Sequence, residues 1–223
     1  DFLKVNDVEI VFLYVSTYAF SSTVLPIAQK LKVPVIILNL QPVAALDYDK
    51  FNQLNDRGLM TGIWLENCQA CSVPEIASVF NRSEITYDFV TGYLQDEEAW
   101  KEIETWAEAA RVSCAMRNNR LGVLGHYYGG MLDVYTDLTK QSAVFGTHIE
   151  LLEMCELKKC RDEVTDIEVE TKIKEFRQIF DVDPTCEKYE IERAAKTSVA
   201  LDKLIENHQL GSMAYYYEGE NGN

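Results

Sequence analysis

Basic side chains are scarce in this sequence. Lysine and arginine number 21 against 36 aspartates and glutamates, for a formal charge of -15. Nucleic-acid binding depends on cations that neutralise phosphates, so no nucleic-acid partner is expected. An anionic membrane surface is disfavoured for the same reason. Long apolar runs are missing too. The best, residues 10–15 and 35–38, are strand length, far below the ~20 residues a membrane-crossing helix needs. No secretory leader is visible. The six cysteines do not suit the disulfide framework of a small secreted domain. A cytoplasmic protein without a membrane partner is therefore expected.

Several chemical signatures are absent. There are only three histidines, His126, His148 and His208, and no Ser-His-Asp arrangement or phosphate-cradling glycine loop. The glycines at 122, 125, 129 and 130 do not make the G-x-G-x-x-G of a dinucleotide site, although Glu150 lies about where a ribose-binding acid would stand. Cys68-Gln69-Ala70-Cys71 has CxxC spacing, but no second CxxC or HxxxH accompanies it. Zinc normally takes four ligands, so ordinary thiols are expected there.

What is present is an alternation of strands and helices. With 47% hydrophobic and 26% charged residues, the chain can bury a real core. Residues 8–15 and 35–38 read as buried parallel strands. Between them Val24, Leu25, Ala28 and Leu31 keep helical spacing behind the capping candidates Ser21 and Ser22. Segments 47–56 and 73–80 read as helical and 85–90 as a strand. Asp96 is the expected N-cap of a long helix over 97–117. The polar run Arg117-Asn118-Asn119-Arg120 is the expected domain boundary. Beyond it, strands are predicted at 121–124, 147–154 and 213–217. An amphipathic helix is expected at 169–180 and a long one at 187–208, stopped by Gly211 in the C′ position. The reading is an α/β fold of two Rossmann-like three-layer domains with mainly parallel sheets, residues 1–118 and 119–223.

Two stretches carry candidate chemistry. In Leu121-Gly122-Val123-Leu124-Gly125-His126-Tyr127-Tyr128-Gly129-Gly130-Met131, a strand enters a loop rich in glycine and tyrosine. Ligands of open α/β sheets bind at the carboxyl ends of strands. Tyrosine offers an apolar face and a hydroxyl, a combination suited to sugar rings. The competing reading makes Gly129 and Gly130 a tight turn and nothing more. The second stretch is Tyr215-Tyr216-Tyr217-Glu218-Gly219-Glu220. Paired carboxylates at a strand end can hold a divalent cation or act as general bases; a plain acidic tail is the alternative.

These stretches resemble the L-arabinose and L-fucose isomerases. The likeness is carried by residues 8–46 ending Gln41-Pro42-Val43-Ala44-Ala45-Leu46, by Val90-Thr91-Gly92-Tyr93-Leu94-Gln95-Asp96, by the loop 125–135 running on to Phe145-Gly146-Thr147-His148-Ile149-Glu150, and by residues 214–223. The resemblance implies two α/β domains followed by a barrel-like domain. Residues 1–118 would match the latter part of the first domain and 119–223 the central one. The barrel would be absent and the chain a fragment. It also implies aldose–ketose isomerisation of a pentose or 6-deoxyhexose with Mn2+, by an oligomer that shares its sites between subunits. His126, Tyr127, Tyr128, Met131, Gln41 and Asn39 would then contact sugar. Asn39 stands where the arabinose isomerases carry a histidine, which leaves the choice of sugar open. Glu218 or Glu220 would be the first metal ligand and the base, with the remaining ligands beyond Asn223. A non-enzymatic two-lobed sugar-binding module is the rival reading, and a nucleotide-dependent oxidoreductase a weaker one.

Overall fold

In the computed structural model, which describes residues 8–31 and 33–216, the apolar runs become parallel strands. The chain divides into two units between Cys114 and Ala115. Each unit is built on a three-stranded parallel sheet. No barrel occurs among the described residues.

The first sheet has the order β1 (Val11–Tyr14), β2 (Val35–Gln41), β3 (Tyr87–Tyr93). Strand β2 is central and covered on both faces, which is why it reads as a nearly continuous aliphatic run. Its side chains alternate between two cores. Val35 and Ile37 pack with Ala28 of α1 (Ser21–Ala28) and with Val73, Ile76 and Phe80 of α4 (Gln69–Arg82). Ile36, Leu38 and Leu40 pack with Val90 and with Ala99 of α5 (Glu97–Arg117). Helices therefore lie on both faces of this sheet. Ile37, Ile76 and Phe80 are wholly buried, each contributing ~1.5–3 kcal/mol of hydrophobic stabilisation.

Local chemistry sets the helix ends, and some ends differ from the sequence reading. The segment expected to be helical over 47–56 ends early, at Gln53. Helices α2 (Tyr48–Gln53) and α3 (Arg57–Glu66) are separated at Asn55, whose φ is 48°. Asp47 and Asp56 cap them, each accepting a backbone N–H at 3.0 Å. Asp96 accepts the Glu98 N–H at 3.1 Å and so starts α5 in the expected way. Ser21 does not cap α1. Phe20 occupies that position, and the Ser21 backbone N–H and hydroxyl both donate to the Glu75 carboxylate. The serine had a stronger acceptor across the unit than along its own helix.

The second sheet has the order β5 (His148–Leu152), β4 (Arg120–Leu124), β6 (Ser212–Tyr215). Four helices accompany it: α6 (Leu138–Phe145), α7 (Met154–Asp162), α8 (Asp166–Ile179) and α9 (Lys188–His208). The periodicity did not separate α7 from its surroundings. A capping box, Glu153 with Glu156, starts it. Leu124 and Leu152 face a core made with Leu157 and Cys160 of α7 and with Val199, Ala200 and Leu204 of α9. The opposite face carries Leu121, Val123 and Ile149, half-buried, and Leu151, 67% exposed. Helix α9 ends on Gln209, in the left-handed region at φ 52°, and not on Gly211. Gly211 has another reason to be glycine: it donates its N–H to the Arg120 carbonyl at 2.9 Å, and a side chain there would strike Asn119.

Because β5 and β6 flank β4 on opposite sides, the chain reverses its direction of travel across the sheet at β4. The carboxyl end of β4 is therefore a topological switch point, the place where open α/β sheets leave a crevice for ligands.

Candidate functional site

The carboxyl ends of the three strands of the second sheet are tied together by main-chain bonds. The Gly125 N–H donates to the Leu152 carbonyl at 3.2 Å, and the Tyr216 N–H donates to the Leu124 carbonyl at 3.0 Å. Gly125 has φ 85°, and a Cβ there would stand 3.1 Å from the Cβ of Tyr216. The turn out of β4 thus requires glycine for its dihedral and for its space.

His126 follows immediately. Its exposed ring lies 4.3 Å from that of Tyr216, tilted by 34°. Its Nδ1 is 2.7 Å from the Tyr127 carbonyl. A carbonyl only accepts, so Nδ1 carries the proton, and in the neutral ring Nε2 is the acceptor. The Tyr127 hydroxyl donates to the Thr136 carbonyl at 3.2 Å, and its ring stacks on Tyr135 at 5.7 Å. The Tyr135 hydroxyl in turn accepts the Gly130 N–H at 3.2 Å. These contacts fold the loop back on itself. Tyr128, Met131 and Leu132 stand at its tip, exposed. After the glycines comes a short 3-10 turn, Leu132–Val134; α6 begins later, capped by Asp137.

A second polar cluster lies on the covered face of the same sheet. His208 Nδ1 is 2.7 Å from Glu150, and its Nε2 is 3.0 Å from Glu156. Both neighbours are carboxylates, so both ring nitrogens donate and the ring is held as the cation. The hydrogen bond to Glu150 raises the His208 pKa, with Glu156 adding to it and burial opposing. The same bond, joined by Arg120, holds the Glu150 carboxyl below its usual range. Glu150 is thus engaged by protein partners.

The sequence-predicted residues fall into three groups. His126 and Tyr127 each enter a ring pair, His126 with Tyr216 and Tyr127 with Tyr135, with Tyr128 and Met131 exposed on the same loop. Asn39 and Gln41 belong to the first unit, at the carboxyl end of β2. Asn39 donates to the Thr91 hydroxyl at 3.2 Å, and its Oδ1 is buried without a partner among the described residues. The Gln41 carbonyl accepts the Leu94 N–H at 2.9 Å. Glu218 and Glu220 lie outside the described residues. The ring partners of His126 and Tyr127, Tyr216 and Tyr135, carry no role in the sequence motifs. Only their tyrosine identity within those motifs hinted at one. Ring pairing between residues 90 positions apart leaves no local pattern. Among the described residues no group of three or more His, Cys, Asp or Glu is placed to hold a metal ion. No helix among them is long and apolar enough to cross a membrane.

Comparison with known proteins supplies a second line of evidence. The chain is 29% identical over 108 residues to an L-arabinose isomerase of Nocardioides sp., a match covering 48% of this chain and 22% of that protein. It is 28% identical over 110 residues to the L-arabinose isomerases of two strains of Bifidobacterium longum, covering 49% of this chain and 22% of each. Over about half its length, the chain is similar to L-arabinose isomerases. The matched stretch spans about a fifth of the length of these relatives. No family model matches the chain.

Proposed function

We propose that this chain carries sugar-contacting residues and a metal ligand of an aldose–ketose isomerase of the arabinose/fucose type. The observation that supports this most is the placement of His126, Tyr127 and Tyr216 at the switch point of a parallel sheet, in a chain similar to L-arabinose isomerases. In this reading the substrate is a pentose or a 6-deoxyhexose. Tyr127, Tyr128 and Met131 offer it apolar contact, and His126 offers an acceptor at Nε2 to a sugar hydroxyl. Asn39 and Gln41 contribute polar contacts to the sugar bound by a partner subunit, in an oligomer whose subunits share sites.

The described residues by themselves do not make a manganese site. In this proposal, cation binding falls to Glu218 or Glu220 together with groups from outside the described residues, and no step is derived through the ion. The same glutamate is suited to move a proton between adjacent sugar carbons, as a carboxylate base does.

Titration calorimetry of the 223-residue polypeptide with L-arabinose and L-fucose, with and without Mn2+, tests the reading. Weak Mn2+ binding that strengthens sugar binding is expected, and Glu218→Gln or Glu220→Gln should reduce that effect. No turnover is expected from this polypeptide alone. Sugar binding indifferent to Mn2+ would favour instead a non-enzymatic sugar-binding module, for which two α/β units also suffice.

A further inference from the structure

Cys68 and Cys71 bracket the first turn of α4, with Cys68 at its N-cap. They differ sharply in exposure: Cys68 is 1% exposed, whereas Cys71 is open to solvent. Three residues apart at the start of one helix, they sit one turn from each other. The Cys71 N–H also donates to the Cys68 carbonyl at 3.0 Å, which holds the two residues in one tight turn. Burial, reinforced by the Cys71 sulfur, pushes the Cys68 thiol above its usual range. Cys68 is therefore shielded from solvent reagents, while Cys71 meets them. Zinc does not account for the pair, since no third and fourth ligand accompany it among the described residues.

We propose that Cys68 and Cys71 form a reversible dithiol–disulfide couple, with Cys71 as the entry sulfur, Cys68 as the resolving sulfur and a low-molecular-weight disulfide as the oxidant. The Cys71 thiolate attacks one sulfur of the small disulfide. A mixed S–S bond forms, the small molecule's own S–S bond breaks, and one thiolate leaves. Cys68 then gives its proton to solvent and its sulfur attacks that of Cys71, displacing the second small thiolate. The protein loses two protons and two electrons, and the oxidant takes up both electrons to become two thiols. Residues three apart on one helical turn hold their Cβ atoms ~5–6 Å apart, and a disulfide needs ~3.5–4.5 Å, so a small adjustment of the turn closes the bond.

The consequence reaches the loop after β1. The buried Ser72, next to Cys71, donates its N–H to the Cys68 carbonyl at 3.1 Å and accepts the Ala19 N–H on its hydroxyl at 2.9 Å. Closing the disulfide stiffens the turn that holds Ala19.

Incubation of the whole chain with oxidised glutathione, followed by alkylation and peptide mass mapping, tests the couple. Cys155 and Cys186, which are exposed, should retain glutathione. Cys71 should retain none and should instead be found linked to Cys68, with both thiols lost to alkylation. Cys68→Ala should trap glutathione on Cys71. Cys71→Ser, at an exposed position and checked for fold by circular dichroism, should leave Cys68 unmodified in the native protein. Glutathione retained on Cys71 of the unmutated chain, or Cys68 of the Cys71→Ser variant reacting as fast as Cys155, would overturn the proposal.

Discussion

The three glycines of the β4 exit loop make a graded test of how that loop is built. Gly129 has open space where a Cβ would go and is not in the left-handed region. Alanine there costs nothing in the folded state and restricts the unfolded chain, so Gly129→Ala should stabilise by about 0.4–1 kcal/mol. Gly130 also has open space, but its φ is 89°; Gly130→Ala should cost about 1–2 kcal/mol in backbone strain alone. Gly125 combines a φ of 85° with a contact of 3.1 Å to the Tyr216 Cβ. Adding a further 1–3 kcal/mol of overpacking, roughly, puts Gly125→Ala at about 2–5 kcal/mol. The choice of assay matters. The three tryptophans, Trp64, Trp100 and Trp106, all lie in the first unit, so their fluorescence does not report the second unit directly. Native-state hydrogen exchange at the β4 amides of Val123 and Leu124 reports it, at tenfold in exchange rate per ~1.4 kcal/mol. The expected order of exchange is Gly129→Ala slowest and Gly125→Ala fastest, with Gly130→Ala between. A Gly125→Ala variant no faster than Gly130→Ala would refute the argument that Tyr216 closes on the β4 exit.

Other outcomes follow from the same geometry. Phe80 is wholly buried, and Phe80→Ala should destabilise the first unit by about 3–5 kcal/mol, read by tryptophan fluorescence in urea; a loss under 1 kcal/mol would contradict the core described above. The raised His208 pKa fixes a pH window. Its contribution is complete below the ordinary value of 6.5 and is lost as pH rises through the raised folded value. Glu150, held below 4.5, contributes above that value and loses its contribution as pH falls through its folded value. Stability of the second unit should therefore peak between these limits, and His208→Gln should abolish the alkaline decline; a decline that persists in this variant has another source. Asp137 accepts the Lys140 N–H at 2.9 Å, so Asp137→Ala should weaken α6 by about 0.5–2 kcal/mol, seen as faster exchange at amides 140–143.

Much of the architecture was legible because it rests on short-range pattern. The aliphatic run of β2, the Asp96 cap and the long α5 are local signals, and each resolves into the predicted element. The interruption at Asn55 and the helix α7 were not legible. A left-handed residue and a capping box built on glutamates are weak in composition even when decisive in geometry. The same limit explains the site. The sequence singled out the loop after β4 because a strand running into glycines and tyrosines is visible in one dimension.

Strand periodicity and its intervening helices, which need only neighbours in sequence, were enough to determine an α/β chain with parallel pairing. Which strand is central, and so where the switch point falls, depended on β6 returning to pair beside β4 from about 90 residues away. The stacking of His126 on Tyr216 and the capture of His208 by two glutamates were settled by that same long-range closure. These side chains meet only after the sheet has brought distant segments within a few ångströms, and nothing in the spacing of residues encodes such a meeting.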